Sequence, residues 1–108
     1  MSSQLERVEE QIAALKRAML ALGPMRPGSL TRQYRDPQAR RRPFHQISYT
    51  YRMRSRSEYV RKENLKALRQ ETANFKRFKK LIDRWIELAL KASRMRVRDT
   101  AETHHPTP

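Results

Sequence analysis

Residues 28–62 read GSLTRQYRDPQARRRPFHQISYTYRMRSRSEYVRK, and this stretch decides the fold. From Ser29 to Arg35, Leu30, Arg32 and Tyr34 alternate with Thr31, Gln33 and Arg35, the side-chain period of a strand. Phe44 to Arg52 is the stronger run, rich in aromatic and β-branched residues. His45, Ile47, Tyr49 and Tyr51 point one way there, and Gln46, Ser48, Thr50 and Arg52 the other. Asp36-Pro37 opens a turn, Gln38 to Arg42 forms a basic loop closed by Pro43, and a second turn over Met53 to Ser55 leads to a third strand, Arg56 to Val60. The expectation is a three-stranded antiparallel meander over 29–60 with an apolar-aromatic face packed on helices and a polar-basic face in solvent. A hairpin alone is marginal in water, so the apolar face needs that support. Tyr34, Tyr49, Tyr51 and Tyr59 are of a type that stacks on bases in single-strand binders, but they are assigned to the core, on the face of Leu30 and Ile47.

The flanks have a different period. Leu5, Val8, Ile12, Leu15, Met19 and Leu22 follow heptad spacing and predict a helix over 4–22. Ser2 or Ser3 can cap it, and Gly23-Pro24 stops it. The connector through Pro27 and Gly28 redirects the chain. From Lys62 no Pro or Gly occurs before Pro106, and Leu65, Leu68, Thr72, Phe75, Phe78, Ile82, Trp85, Ala89 and Ala92 form a seam with one three-residue slip. This predicts a long helix over 62–96, with 99–108 as a disordered tail. The fold class is α+β: a single domain over 1–98, in which two helices pair as an antiparallel coiled-coil stalk with the meander at one end. The first helix, roughly 28 Å long, is expected to cover only the near half of the second. Leu81, Ile82, Trp85, Ile86, Leu88 and Leu90 then project without a partner in the chain, and Ile82, Trp85, Ile86 and Ala89 are expected to form an oligomer or partner interface.

The chain has 108 residues, of which 37% are hydrophobic, so a single core has little to work with. It has no cysteine, which excludes disulfides and Cys-based zinc sites and leaves a cytoplasmic location as the default. No apolar run suffices to span a bilayer, and the acidic, amphipathic start MSSQLERVEEQ is not that of a signal peptide. No membrane partner is expected. The formal net charge is +14, and +9 of it lies between Arg26 and Lys62, where only Asp36 and Glu58 are acidic. Basic charge concentrated in this way points to a polyanion.

The residues expected to contact nucleic acid are Arg32, Arg35, Arg40, Arg41, Arg42, Arg52, Arg54, Arg56 and Arg61, whose guanidinium forks suit phosphates and guanine edges. Gln46, Ser48 and Thr50 join them as side chains able to reach base edges or phosphates. There is no nucleophile beside a base, no Gly-rich phosphate loop and no acidic cluster for metals, so neither an enzyme nor a cofactor is expected. His45 reads as a packed or surface residue, and His104-His105 as at most a weak metal contact.

Leu22-Gly23-Pro24-Met25-Arg26-Pro27-Gly28-Ser29-Leu30-Thr31-Arg32-Gln33-Tyr34-Arg35, followed by Ile47-Ser48-Tyr49-Thr50 and Tyr59-Val60, resembles a family of small bacterial proteins of unknown function met in mobile-element and transposase neighbourhoods. The similarity spans approximately Leu5 to Glu87. Many relatives carry a cysteine cluster resembling a zinc knuckle after the QYR motif, whereas Asp36 to Pro43 is short and cysteine-free here, so zinc is not carried over. The resemblance implies an accessory nucleic-acid-binding role in a mobile element and adds no catalytic residue.

The expected function is therefore a DNA- or structured-RNA-binding accessory protein of a mobile element, a recombination system or an RNA-guided system. It would assemble through its long helix as a homo-oligomer, with a larger protein partner, or both. The alternative is a coiled-coil adaptor whose basic head meets an acidic protein surface.

Overall fold

A computed structural model describes residues 3–103. The elements are α1 (Ser3–Leu20), β1 (Ser29–Asp36), β2 (Arg41–Tyr51), β3 (Arg54–Val60), a 3-10 turn over Lys62–Asn64 and α2 (Leu65–Thr103). This is an α+β chain with one three-stranded antiparallel sheet in the order β1-β2-β3. The helix α2 runs through residues 99–103, which the sequence had suggested as tail, because nothing before Pro106 interrupts its backbone. Its 39 residues make a rod of roughly 58 Å. Ser2, one of the two expected caps, and His104-His105 lie outside the described residues. No helix among the described residues is long and apolar enough to cross a membrane.

The chain forms two compact units, one joining α1 to α2 from Phe78 onward and the other running from Leu22 to Arg77. In the first, Val8, Leu88 and Ala92 are buried, with Leu5, Ile12, Leu15 and Met95 packed around them. Two contacts give the sense of the pairing. Lys16 Nζ lies 5.2 Å from the centre of the Trp85 ring, and Arg96 donates to Glu9 Oε1 at 3.3 Å, so the helices run antiparallel. The fully buried positions of the α2 seam are Leu81, Leu88 and Ala92, while Trp85 and Met95, like Ile82 and Ala89, are half-buried. Two consecutive three-residue steps, Phe75–Phe78–Leu81, shift the seam to Leu81.

That pairing corrects the expected overhang. Leu81 and Leu88 are buried within the chain, each 4% exposed, and Lys16 sits over Trp85. The reason lies in the connector. In the second unit it is residues 23–26, not α1, that lie along α2 at 71–74. Arg26 N–H donates to the Glu71 carbonyl at 3.0 Å, and Asn74 Nδ2 donates to the Pro24 carbonyl at 2.8 Å.

The sheet register pairs Leu30 with Ile47 and Arg32 with His45 across β1 and β2, and Ile47 with Glu58 and Gln46 with Tyr59 across β2 and β3. Pro43, opposite Tyr34, lies beyond the part of β2 paired on both sides, where a missing donor is tolerated. At Gly28 the chain enters β1 with φ 140°, and an added Cβ would stand 2.9 Å from Ile47 Cγ1 and 3.0 Å from the Ser48 carbonyl. Ile47, 1% exposed, is thus closed over by backbone that only glycine provides.

The turn between β2 and β3 is shorter than expected. Only Arg52 and Met53 lie between the paired residues Tyr51 and Arg54, at φ 50° and 63°, the left-handed pair of a type I′ hairpin. A three-residue turn over 53–55 would place Tyr59 beside Ile47. Removing one residue from the loop turns every side chain of β3 to the other face.

Candidate nucleic-acid interface

Each face of the sheet follows from this register. The Ile47 face carries Leu30, Arg32 and Tyr34 of β1, His45, Tyr49 and Tyr51 of β2, and Arg54, Arg56, Glu58 and Val60 of β3. The opposite face carries Thr31, Gln33 and Arg35, then Phe44, Gln46, Ser48 and Thr50, then Ser55, Ser57 and Tyr59. The polar and basic residues expected together on one face are therefore divided. Gln46, Ser48 and Thr50 do share the outer face, but Arg32, Arg54 and Arg56 lie on the Ile47 face. Arg52 is in the turn, and Arg35 is the arginine that β1 places beside the hydroxyls.

The arginines gather at the two ends of the sheet. At the β1–β2 end, Arg40 and Arg42 adopt left-handed backbone, with φ 51° and 55°. The Ala39 N–H donates to Asp36 Oδ1 at 3.4 Å across this turn. Arg41 pairs with Asp36 in the ladder, which skips Arg42. At the other end Arg52, Arg54 and Arg56 line a cleft of about 550 Å³ with Tyr49 and Tyr51. The length of β2 separates the groups by roughly 33 Å. Arg61 follows β3 in extended backbone, with φ −68° and ψ 146°.

Direct carboxylate partners are missing for these side chains among the described residues, although Arg56 is near enough to Glu58 to help lower its pKa. Among the described residues, Arg32, Arg35, Arg40, Arg41, Arg42, Arg52, Arg54, Arg56 and Arg61 form no salt bridge, whereas Arg84 pairs with Glu87 and Arg96 with Glu9 in the helical unit. Glu58, opposite Ile47 on β3, is already engaged. Arg26 donates to one of its oxygens and Tyr49 Oη to the other at 2.9 Å. The hydrogen bond from Arg26, and then that from Tyr49, holds the Glu58 carboxyl below its usual range. The same bond raises the pKa of Arg26, whose guanidinium also lies 5.2 Å from the Tyr49 ring centre.

The outer face is built from short polar groups in cross-strand pairs. Ser48 and Ser57 hydroxyls lie 3.0 Å apart, Thr50 and Ser55 hydroxyls 3.1 Å apart, and Gln33 Nε2 donates to Thr31 Oγ1 at 3.2 Å. Two aromatics accompany them. Phe44 is half-buried with the Arg35 guanidinium 5.4 Å from its ring centre, and Tyr59 is 64% exposed. Tyr59 was expected in the core with Leu30 and Ile47, and Phe44 was not singled out. The parity of the β2–β3 loop, which sets the face of every β3 residue, is the signal that finds Tyr59, and the alternation of β2 itself places Phe44 with Gln46, Ser48 and Thr50.

Of the expected interface residues on α2, Ile82, Trp85 and Ala89 are half-buried and Ile86 is 54% exposed. Leu90 and Val97 extend that exposed row at helical spacing. Among the described residues no three His, Asp or Glu side chains gather to hold a metal. No family model matches the chain, and no curated protein or solved structure is significantly similar to it.

Proposed function

We propose that this protein is a nucleic-acid-binding accessory component that holds phosphates with the arginines at the two ends of its sheet. The observation that carries this reading is the gathering of nine arginines on and beside one three-stranded sheet, none of them in a salt bridge among the described residues. An unpaired guanidinium retains its full fork of donors for phosphate, at no cost of breaking an existing pair. The resemblance carried by the RPGSL and QYR segments supports a place in a mobile element, in recombination or in an RNA-guided system.

In this reading α1 and the second half of α2 act as an antiparallel coiled coil. Its outward row, Ile86, Leu90 and Val97, replaces Trp85 as the centre of assembly with a second copy or a larger protein. Ile86→Glu with Leu90→Glu is expected to lower the solution mass while leaving nucleic-acid affinity unchanged.

The primary test is a salt titration with duplex DNA and with structured RNA. Neutralising about six phosphates gives a log–log slope of roughly −5. Replacing Arg40, Arg41 and Arg42 with Ser is expected to weaken binding at least tenfold and flatten the slope by about three contacts' worth. Absence of binding to any nucleic acid at low salt, or affinity indifferent to salt, overturns the proposal. In that case, capture of an acidic protein surface by the same arginines would identify an adaptor.

A further inference from the structure

Three of the four tyrosines in the chain carry an arginine on the ring. Arg26 lies over Tyr49, Arg32 over Tyr34 and Arg52 over Tyr51, at 5.2, 5.5 and 5.2 Å from the ring centres. Among the described residues Tyr59 has no such cover and no hydrogen bond, and its ring is exposed. It stands on the outer face, in register with Gln46 and Thr31. We infer that this hydroxyl-and-amide face is a single-strand binding surface, on which one unpaired base stacks on Tyr59 and a neighbour on the Arg35–Phe44 layer.

Four features carry the inference. The first is spacing. Phe44 is diagonal to Tyr59 across the β2–β3 ladder, a separation of about 7–8 Å. Stacked bases lie about 3.4 Å apart, so two neighbours reach the two platforms only when unstacked from each other. A single strand can do this freely and a duplex cannot. The second is charge. Among the sheet positions of this face there is no Asp or Glu, and Arg35 belongs to it, so a polyanionic backbone meets no repulsion there.

The third is hydrogen bonding. Gln33, Gln46, Ser48 and Ser57 are short donors and acceptors on the same surface, suited to base edges and to a ribose 2′-hydroxyl. The fourth is chain direction. Arg61 continues from Tyr59 in extended backbone, which places a free guanidinium at the margin of the platform for the adjoining phosphate. Aromatic stacking combined with flanking cations is the general chemistry of single-strand recognition.

This inference rests on the proposed nucleic-acid binding, and the test separates the two. Affinities of the full chain are measured for mixed-sequence 12-nucleotide single-stranded RNA, the matching single-stranded DNA and the duplex of equal length, at one salt concentration. Tyr59→Ala is expected to weaken binding to the preferred single strand by about tenfold or more, the loss of one stacked base. Duplex affinity and the salt slope should stay as they are. Tyr59→Phe should restore the loss, which a hydroxyl-dependent role would not allow, and unchanged duplex affinity of Tyr59→Ala excludes a merely structural one.

Tyr59→Trp should bind as the native protein does, with a tryptophan emission quenched by the single strand beyond any change at Trp85. The RNA-to-DNA ratio then reports whether the 2′-hydroxyl is read. If Tyr59→Ala leaves single-strand affinity unchanged while Arg54→Ser and Arg56→Ser lower it, the stacking surface is overturned and phosphate binding stands. Native protein that binds duplex alone also overturns it. Native protein that binds no nucleic acid removes both readings.

Discussion

The two units of this chain are held together by different means. In the helical unit, Val8, Leu88 and Ala92 are almost fully buried, and the charged contacts around them are exposed and worth little. In the sheet unit the buried apolar residues are Ile47 and Val60, and much of the rest of the contact is made by paired hydroxyls, arginines on rings and the Arg26–Glu58–Tyr49 group. The helical unit leaves an apolar row exposed, Ile86, Leu90 and Val97. The sheet exposes its polar chemistry because so little of it is used for burial.

The contrast is broken most forcefully from the helical side. Leu88→Ala is expected to cost about 3 kcal/mol, since the side chain is 4% exposed and its neighbours Val8 and Ala92 leave little to collapse into the cavity. Amide hydrogen exchange should show α1 and the second half of α2 losing protection first, with the β2 amides following only if α2 unwinds as a whole. Equal loss in both units would mean that the two fold as one cooperative body. From the other side, Gly28→Ala is expected to cost about 2 kcal/mol, because φ 140° is closed to an L side chain and the new Cβ meets Ile47 and the Ser48 carbonyl. Here the strand amides should lose protection first, and thermal melting followed by near-ultraviolet signals should separate the tyrosines of the sheet from Trp85.

How much of this was legible beforehand divides along the same line. The helices and the first two strands show in the sequence because their periods are long and clean. Leu5 to Leu22 repeats at heptad spacing, and His45 to Thr50 alternates without a break. The face of β3 was not legible, because Arg52-Met53 lacks the Asn-Gly or Asp-Gly signature that announces a two-residue turn. With that loop misjudged by one residue, Tyr59 and Arg56 exchange faces. The α2 seam was misplaced for a related reason: Ile82 and Leu81, like Ala89 and Leu88, are adjacent apolar pairs, and periodicity alone does not choose between them. The connector along Glu71 and Asn74 was invisible, since its hydrogen bonds are made by backbone groups any sequence possesses. The charge of the site was therefore readable, while the division of its arginines between two ends and two faces was not.

The smallest expected effect concerns Glu58, the carboxylate that Arg26 and Tyr49 hold. Glu58 accepts from Arg26 and Tyr49, and its pKa is lowered from the ordinary 4.5 chiefly by the first of these bonds. A carboxyl whose folded pKa is depressed binds protons more readily unfolded than folded. Its contribution is complete above the unfolded value and is lost as pH falls through the folded one. Arg26, with its pKa raised, loses its contribution only at strongly alkaline pH and so adds nothing to the acid limb. The native protein should therefore melt slightly above Glu58→Gln at pH 7. That difference should hold down to about pH 5 and close as the pH drops below 4.5. Because Glu58 is solvent-exposed, salt should shrink the gap as well. A difference that persists unchanged at pH 2 would show that the carboxylate's charge is not what orders Arg26 and Tyr49. The sheet unit would then depend, as the helical unit does, on packing alone.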